Sequence, residues 1–272
     1  MGDLPLWLSV AIKVACVAGV VIAATTVAEK SGPLVAGLII AMPISVGPTY
    51  VMLALTASPQ FIAASALGSI AANAAVAVFG TVYVLLSGRV SMPVSLTLAL
   101  AAWFGVAWIE ESTSSGAGVL LALCTATLIA GTLLTRHALA GRKLLAGAKR
   151  WYDMPVRAAF VGVFAGTLVT ASNAIGPAWT GLLAAFPIVL SSSIVLMHPR
   201  VGAAATAAVI ATAIQGLVIY PFAFFLIHAL STVWGVWWSF LAGLLLILGW
   251  AGLVYAWRTR RVARASRRAQ MR

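Results

Sequence analysis

Residues 176–193 read GPAWTGLLAAFPIVLSSS, and residues 32–49 read GPLVAGLIIAMPISVGPT. Both stretches open on Gly-Pro, continue with Gly-Leu and then reach Pro-Ile, and each of these pairs recurs at an offset of 144 residues. At that offset, 11 of the 44 positions of 11–54 are identical to those of 155–198. The chain therefore predicts an internal repeat built around these two stretches.

Each stretch predicts a helix that is interrupted near its middle. A Gly-Pro pair suits the start of a helix, because proline is tolerated in the first turn. A proline farther along removes one backbone hydrogen bond and leaves a carbonyl in need of another partner. The residues expected to start or break these helices are Gly32, Pro33, Pro43 and Pro48 in the first stretch, and Gly176, Pro177 and Pro187 in the second. Gly47-Pro48 is expected to break its helix outright.

The composition is that of a membrane protein. Of the 272 residues, 62% are apolar and 8% are charged, whereas a soluble domain carries about 25% charged residues. These values exclude a water-soluble enzyme, a secreted disulfide scaffold and a disordered chain. Nine apolar segments are long enough to cross a bilayer core of about 30 Å. They are 6–27, 32–57, 61–87, 91–109, 116–135, 156–173, 176–198, 201–230 and 233–257.

The distribution of charge predicts the topology. Seventeen Lys and Arg face five Asp and Glu, and many of the basic residues fall in the interval 136–157 and the tail 258–272. With 136–157 in the cytoplasm and the spans alternating outward, 16 of the 17 basic residues lie on the cytoplasmic side, as the positive-inside rule requires. The expected protein is a multi-pass protein of the bacterial inner membrane, with its N-terminus outside and its C-terminus cytoplasmic. The basic tail is expected to attract anionic lipid headgroups and not nucleic acid.

The expected fold is all-α, with two inverted four-helix repeats joined by one linking helix. The first span and its repeat mate, the sixth, cross the membrane in opposite directions, as in many secondary transporters. Repeat 1 covers 1–112, the linking span and basic cytoplasmic loop cover 113–154, inverted repeat 2 covers 155–257, and the basic cytoplasmic tail covers 258–272.

The candidate solute site lies where small polar residues follow the two mid-span prolines. Each polar triplet begins about one helical turn past its proline, so the two triplets approach the midplane from opposite sides. The expected binding residues are Ser45, Gly47, Thr49 and Tyr50 in the first half, Ser191, Ser192 and Ser193 in the second half, and Asn73 and Gln215 in the third and eighth spans. Two alternatives stay open: the kinks serve only tight helix packing, or the two amides hydrogen-bond between helices.

The positions of the acidic residues narrow the class of solute that the protein is expected to carry. All five Asp and Glu lie outside the predicted spans or at their ends, whereas proton-coupled pumps and cation carriers commonly use buried carboxylates. An anionic or neutral solute therefore fits better. The two cysteines are isolated and no metal-ligand cluster, P-loop or G-x-S-x-G motif occurs, so neither a metal, a cofactor nor an enzymatic activity is expected.

Residues 29–43, EKSGPLVAGLIIAMP, and the mate that ends GLLAAFP at Pro187 resemble the small four-span GlpM-type bacterial membrane proteins. Those proteins carry a similar A-G-L-x-x-x-x-P turn after their first helix. The resemblance implies two such units fused in opposite orientation. It also implies a link to envelope polysaccharide production, and no functional residue is carried over from it.

These observations predict a small secondary or facilitative transporter that moves an anionic or neutral small solute through a midplane site between two interrupted helices. The first alternative is a non-transporting accessory membrane subunit for envelope polysaccharide or lipid export. The second is a lipid flippase. The expected partners are the bilayer, its anionic headgroups and the solute, and a homodimer or a partner membrane protein remains open.

Overall fold

The structure, a computed structural model, describes residues 46–113, 116–139 and 153–270, together with positions 14, 15, 19 and 23. Within these ranges the regular structure is helical and no strand occurs. The helices are α1 (Val46–Ala54), α2 (Pro59–Leu86), α3 (Met92–Ser112), α4 (Ala117–Thr135), α5 (Asp153–Ala184), α6 (Ile188–Gly216), α7 (Tyr220–Leu230) and α8 (Val236–Gln270). Short 3₁₀ turns, Arg136–Leu139 and Leu217–Ile219, follow α4 and α6.

Six helical stretches of the described chain are long and apolar enough to cross a membrane. They are Pro59–Leu86, Met92–Glu110, Ala117–Leu139, Ala158–Ala184, Ile188–Leu230 and Val236–Val254. Large apolar side chains on their outer faces are exposed, including Trp108, Phe160 and Leu253. This arrangement is consistent with a multi-pass membrane protein, in which such faces contact lipid.

Helix α2 is the central element of the described chain. It packs against α3, α4, α5 and α7, and it is apolar or small on every face, which is the pattern of a fully buried helix. Ser58 caps its first turn by accepting a hydrogen bond from the Phe61 backbone N–H at 3.2 Å, and Pro59 follows as the first helical residue. Its buried polar side chains include Ser65, Ser69 and Asn73.

The chain reverses direction within α5, at Gly176. This residue has φ of 79° and ψ of 170°, a conformation that glycine adopts without the strain a side chain would bring. The Thr180 hydroxyl lies 3.4 Å from the Ser172 carbonyl oxygen. In a straight helix, residues eight positions apart would be separated by about 12 Å along the helix axis. The stretch before Gly176 and the stretch after it therefore form a helical hairpin.

A second reversal lies within α6, at Gly202, where φ is 82°. The Tyr83 hydroxyl of α2 bonds to His198 Nδ1, before the turn, at 2.7 Å. A Cβ on Gly80 of α2 would meet Ile210 and Ile214, after the turn, so α2 contacts the chain on both sides of it. After the turn the chain runs antiparallel to α2, because His228 Nδ1 reaches the Ala63 carbonyl oxygen at 2.9 Å.

Glycine turns mark the boundaries that hydropathy predicts in the second half. Gly176, Gly202 and Gly235 are the positive-φ glycines of the described chain, and they fall at the ends expected for the segments 156–173, 176–198 and 201–230. The segments 61–87, 91–109 and 116–135 correspond to α2, α3 and α4. The segment 6–27, apart from positions 14, 15, 19 and 23, and the first part of 32–57 lie outside the described residues, so the count of nine spans stays a prediction.

Candidate functional site

The segment between the two reversals is helical in two pieces, at 177–184 and again at 188–201, and we call it the interrupted segment. Helix α5 ends at Ala184 and α6 begins at Ile188, with Pro187 between them at φ of −75° and ψ of 46°. In the gap, the Ile188 N–H donates to the Phe186 carbonyl at 2.7 Å. The helix is therefore broken at Pro187, where its sequence predicts a break, and it begins at Pro177 after the Gly176 turn.

The first piece of the interrupted segment lies directly against the backbone of α2. A Cβ atom on Gly181 would overlap the carbonyl group of Ser65, and one on Gly68 would overlap the carbonyl oxygen of Ala178. Glycine at both positions lets the two backbones touch, which is how small residues promote close helix packing in membranes. This contact determines the position along the α2 axis at which the break at Pro187 lies.

A polar network at Ser69 joins three elements at this contact. The Ser69 hydroxyl donates to the Gly181 carbonyl at 2.8 Å, so the Tyr50 hydroxyl, 2.7 Å away, donates to Ser69. Asn73 donates from Nδ2 to the Ser69 carbonyl at 2.8 Å. The predicted site residues Tyr50 and Asn73 thus meet through Ser69, which sequence reasoning did not select. Its position one turn before Asn73 on the same helix was the available signal.

The three predicted serines after Pro187 have different roles. Ser192 and Ser193 donate to the Val189 carbonyl, at 3.0 and 2.6 Å, so their protons are used within their own helix. The Ser191 hydroxyl oxygen is buried and makes no hydrogen bond. Of the triplet, Ser191 is therefore the side chain whose hydroxyl oxygen has no hydrogen-bond partner.

Helix α1, which includes the end of the first stretch, packs on the same cluster as the residues that follow the break. Met52 of α1, Ile188 and Val189 all pack against this cluster, which includes Val161. Gly47 and Pro48 are helical residues of α1. The residues before Val46 lie outside the described ranges, so the break predicted at Gly47-Pro48 stays a prediction.

The remaining predicted residues are placed as follows. Thr49 is buried in α1, and Gln215 is half-buried near the end of α6. The Asn73 amide bonds within its own helix and not to Gln215. Ser45, Gly32, Pro33 and Pro43 lie outside the described residues.

Aromatic rings close one side of the break. The Trp103 ring of α3 packs edge-on against the Phe186 ring, with centroids 5.0 Å apart. The Phe164 ring of α5 lies 5.4 Å from the Phe186 ring, centroid to centroid. Trp103 is fully buried, although its indole N–H makes no hydrogen bond. The side of the break that faces α3 is therefore filled with apolar groups.

A cavity of about 170 Å³ lies on the other side of α1, between α1, α7 and α8. Its lining is almost entirely apolar and includes Gly47 and Tyr50 from the predicted site, but none of the three serines. Within the described ranges no three His, Cys, Asp or Glu side chains group together as metal ligands.

No protein-family model, curated protein or solved structure matches this chain.

Replacing Ser69 by alanine should destabilise the protein by about 2 kcal/mol, because the buried Tyr50 hydroxyl and Gly181 carbonyl both lose a partner. Thermal unfolding of the detergent-solubilised protein measures the change. Ser65→Ala is the matched control on the same helix, since the Ser65 hydroxyl is buried and makes no hydrogen bond. Equal losses of stability in the two variants would contradict the network.

Proposed function

We propose that the protein is a small secondary or facilitative membrane transporter that moves an anionic or neutral small solute past the interrupted segment. The observation that carries this proposal is the break at Pro187, held against α2 at Gly181 with α1 beside it. Interrupted helices at mid-membrane depth are where many secondary transporters bind their substrates. A broken helix also supplies backbone groups that have no partner within the helix.

The chemistry around the break favours an anionic or neutral solute. The start of α6 presents the positive end of a helix dipole, and the unpaired Ser191 hydroxyl lies in its first turn. The five acidic residues of the sequence lie outside the predicted spans or at their ends. Within the described ranges, Glu110 has one buried carboxylate oxygen without a hydrogen-bond partner, and it is the last residue of the apolar stretch Met92–Glu110. The described part of the chain places no carboxylate in the middle of an apolar stretch, where cation carriers commonly use one.

The proposed architecture is an inverted repeat of nine spans with the N-terminus outside and the C-terminus in the cytoplasm of a bacterial inner membrane. Its support is the antiparallel packing of α2 against the chain after Gly202, because these two helices are the predicted repeat mates and inverted mates run in opposite directions. Helix α8 has 35 residues, which is about 52 Å of helix. It therefore extends beyond a bilayer core of about 30 Å, and its arginine-rich end is proposed to meet anionic headgroups.

An accessory role in polysaccharide or lipid export is the second candidate, and the tight packing around the break favours it. The backbones of α2 and the interrupted segment touch, and Trp103 fills the opposite side. A protein that only supports a partner needs such a filled centre and no solute path. The GlpM-type resemblance is compatible with this candidate and does not add a mechanism.

Transport is tested in proteoliposomes with radiolabelled phosphate, succinate, glycerol and glucose as probes. We expect uptake of at least one probe above empty liposomes. Ser191→Ala should lower that uptake about tenfold, the effect of losing about 1.4 kcal/mol of solute binding. Ser192→Ala is the matched control, because its hydroxyl already bonds to Val189.

Two outcomes contradict the transporter and support the accessory role. One is no uptake of any probe by protein that is folded by circular dichroism. The other is uptake that Ser191→Ala leaves unchanged. Both serine variants are expected to fold, since neither removes a hydrogen bond between helices.

A further inference from the structure

We propose that the cavity between α1, α7 and α8 binds one hydrocarbon chain of a membrane lipid. Its lining includes Gly47 and Tyr50 of the predicted solute site but no residue of the interrupted segment. It is lined by Val46, Gly47, Tyr50 and Val51 of α1, Tyr220, Ala223, Phe224 and Ile227 of α7, and Phe240, Gly243, Leu244 and Ile247 of α8.

The lining selects for hydrocarbon. No charged side chain is among the described lining residues, and Tyr50 and Tyr220 are the hydroxyl-bearing ones among them, so a polar ligand would lose most of its hydrogen bonds with water. The Tyr50 hydroxyl is engaged by Ser69, so the ring is what this residue offers to the cavity. That ring lies 5.7 Å from Phe224 and 5.9 Å from Phe240, centroid to centroid.

The size of the cavity fits part of an acyl chain. An apolar protein cavity of about 150 Å³ is large enough to hold benzene. A cavity of about 170 Å³ therefore accepts a run of about six chain carbons. A whole headgroup with its charges does not match either this volume or this lining, which is why the cavity is assigned to a chain and not to a flippase path.

Exposed apolar side chains lie at and beside the cavity lining. Val51, which lines the cavity, is 42% exposed, and Leu245 next to the lining residue Leu244 is 59% exposed. Exposed apolar side chains on a membrane-spanning helix face the hydrocarbon of the bilayer. Lipid hydrocarbon chains are therefore the molecules positioned to enter the cavity.

The depth of the cavity assigns the chain to one leaflet. Trp237 and Trp238 are exposed near the start of α8, where aromatic residues mark the membrane interface. The lining residues Phe240 to Ile247 lie about 5 to 15 Å farther along the helix. That range falls within one half of the hydrocarbon core, so a lipid with its headgroup at the Trp237 level reaches the cavity with one chain.

The experiment uses nanodiscs of phosphatidylethanolamine and phosphatidylglycerol that contain a trace of phosphatidylcholine with a photoactivatable diazirine on one acyl chain. After illumination, peptide mass spectrometry maps the label along the full chain. We expect label to concentrate on residues 220–227 and 240–247, above equally apolar exposed positions such as Leu133 and Leu253. An even distribution over exposed apolar residues would overturn the proposal.

Leu244→Trp should fill the cavity and lower labelling of 220–227 about tenfold. Leu245→Trp is the matched control, because it adds the same bulk one residue away on the exposed surface. Unchanged labelling in Leu244→Trp also overturns the proposal. If Leu244→Trp does not fold, the wild-type map decides alone. The readout needs no transport, so a failure of the transporter proposal leaves this test intact.

Discussion

Replacing Gly181 by alanine should separate the interrupted segment from α2 and destabilise the protein by about 4 kcal/mol. The added Cβ would overlap the Ser65 carbonyl, a backbone group that cannot rotate away as a flexible side chain does. The helices must move apart, and the hydrogen bond from Ser69 to the Gly181 carbonyl is lost with the contact. The Gly181 carbonyl then lacks this partner in an environment without water, while the Ser69 hydroxyl keeps its bond to Tyr50.

The measurement is thermal unfolding in detergent, together with hydrogen exchange at residues 177–184. Gly105→Ala in α3 is the matched control, because a Cβ there meets nothing within 4 Å. Alanine raises helix propensity by up to about 1 kcal/mol over glycine, so the control should be neutral or slightly stabilising. A Gly181→Ala protein as stable as Gly105→Ala would show that the two backbones do not touch.

The breaks and turns of the second half could be predicted because their causes are local. Proline at position 187 cannot complete a helical hydrogen bond whatever surrounds it. Glycine at 176 precedes a proline that suits a helix start, and the observed φ of 79° is one that glycine adopts readily. The apolar segments and their boundaries follow from the same local rules, since length and hydropathy decide what can cross a bilayer.

The partners of these elements could not be predicted, because they depend on which helices pack together. Nothing in the sequence near Ser69 shows that Gly181, more than a hundred residues later, lies against it. Small polar residues in membrane helices can also either bind a solute or form hydrogen bonds within their own helix. Ser192 and Ser193 have the composition of a solute site, yet their hydroxyls bond to the preceding turn, a local option that serine always has.

Replacing Trp103 by alanine should destabilise the protein by about 3 kcal/mol. Trp103 is fully buried and contacts both Phe104 and Phe186, with centroids 4.9 and 5.0 Å away. Inside a membrane the loss comes from the contacts themselves and from the cavity left behind, because burial from water is not the main driving force between spans. Trp108→Ala is the control on the same helix, since Trp108 is 68% exposed. Trp108→Ala removes the ring contact with Trp179 and should therefore destabilise the protein by only about 1 kcal/mol.

Trp103→Phe separates the role of the ring from that of the indole N–H. The N–H makes no hydrogen bond, so removing it leaves no group without a partner, and a phenyl ring retains the contact with Phe186. This variant should unfold within about 1 kcal/mol of the wild type. Hydrogen exchange at the amides of residues 185 and 186 should rise in Trp103→Ala and stay near the wild-type rate in Trp103→Phe, because the ring on Phe186 is what keeps the break closed on this side. Equal exchange in the two variants would mean that the break is held by α2 alone, through Gly181.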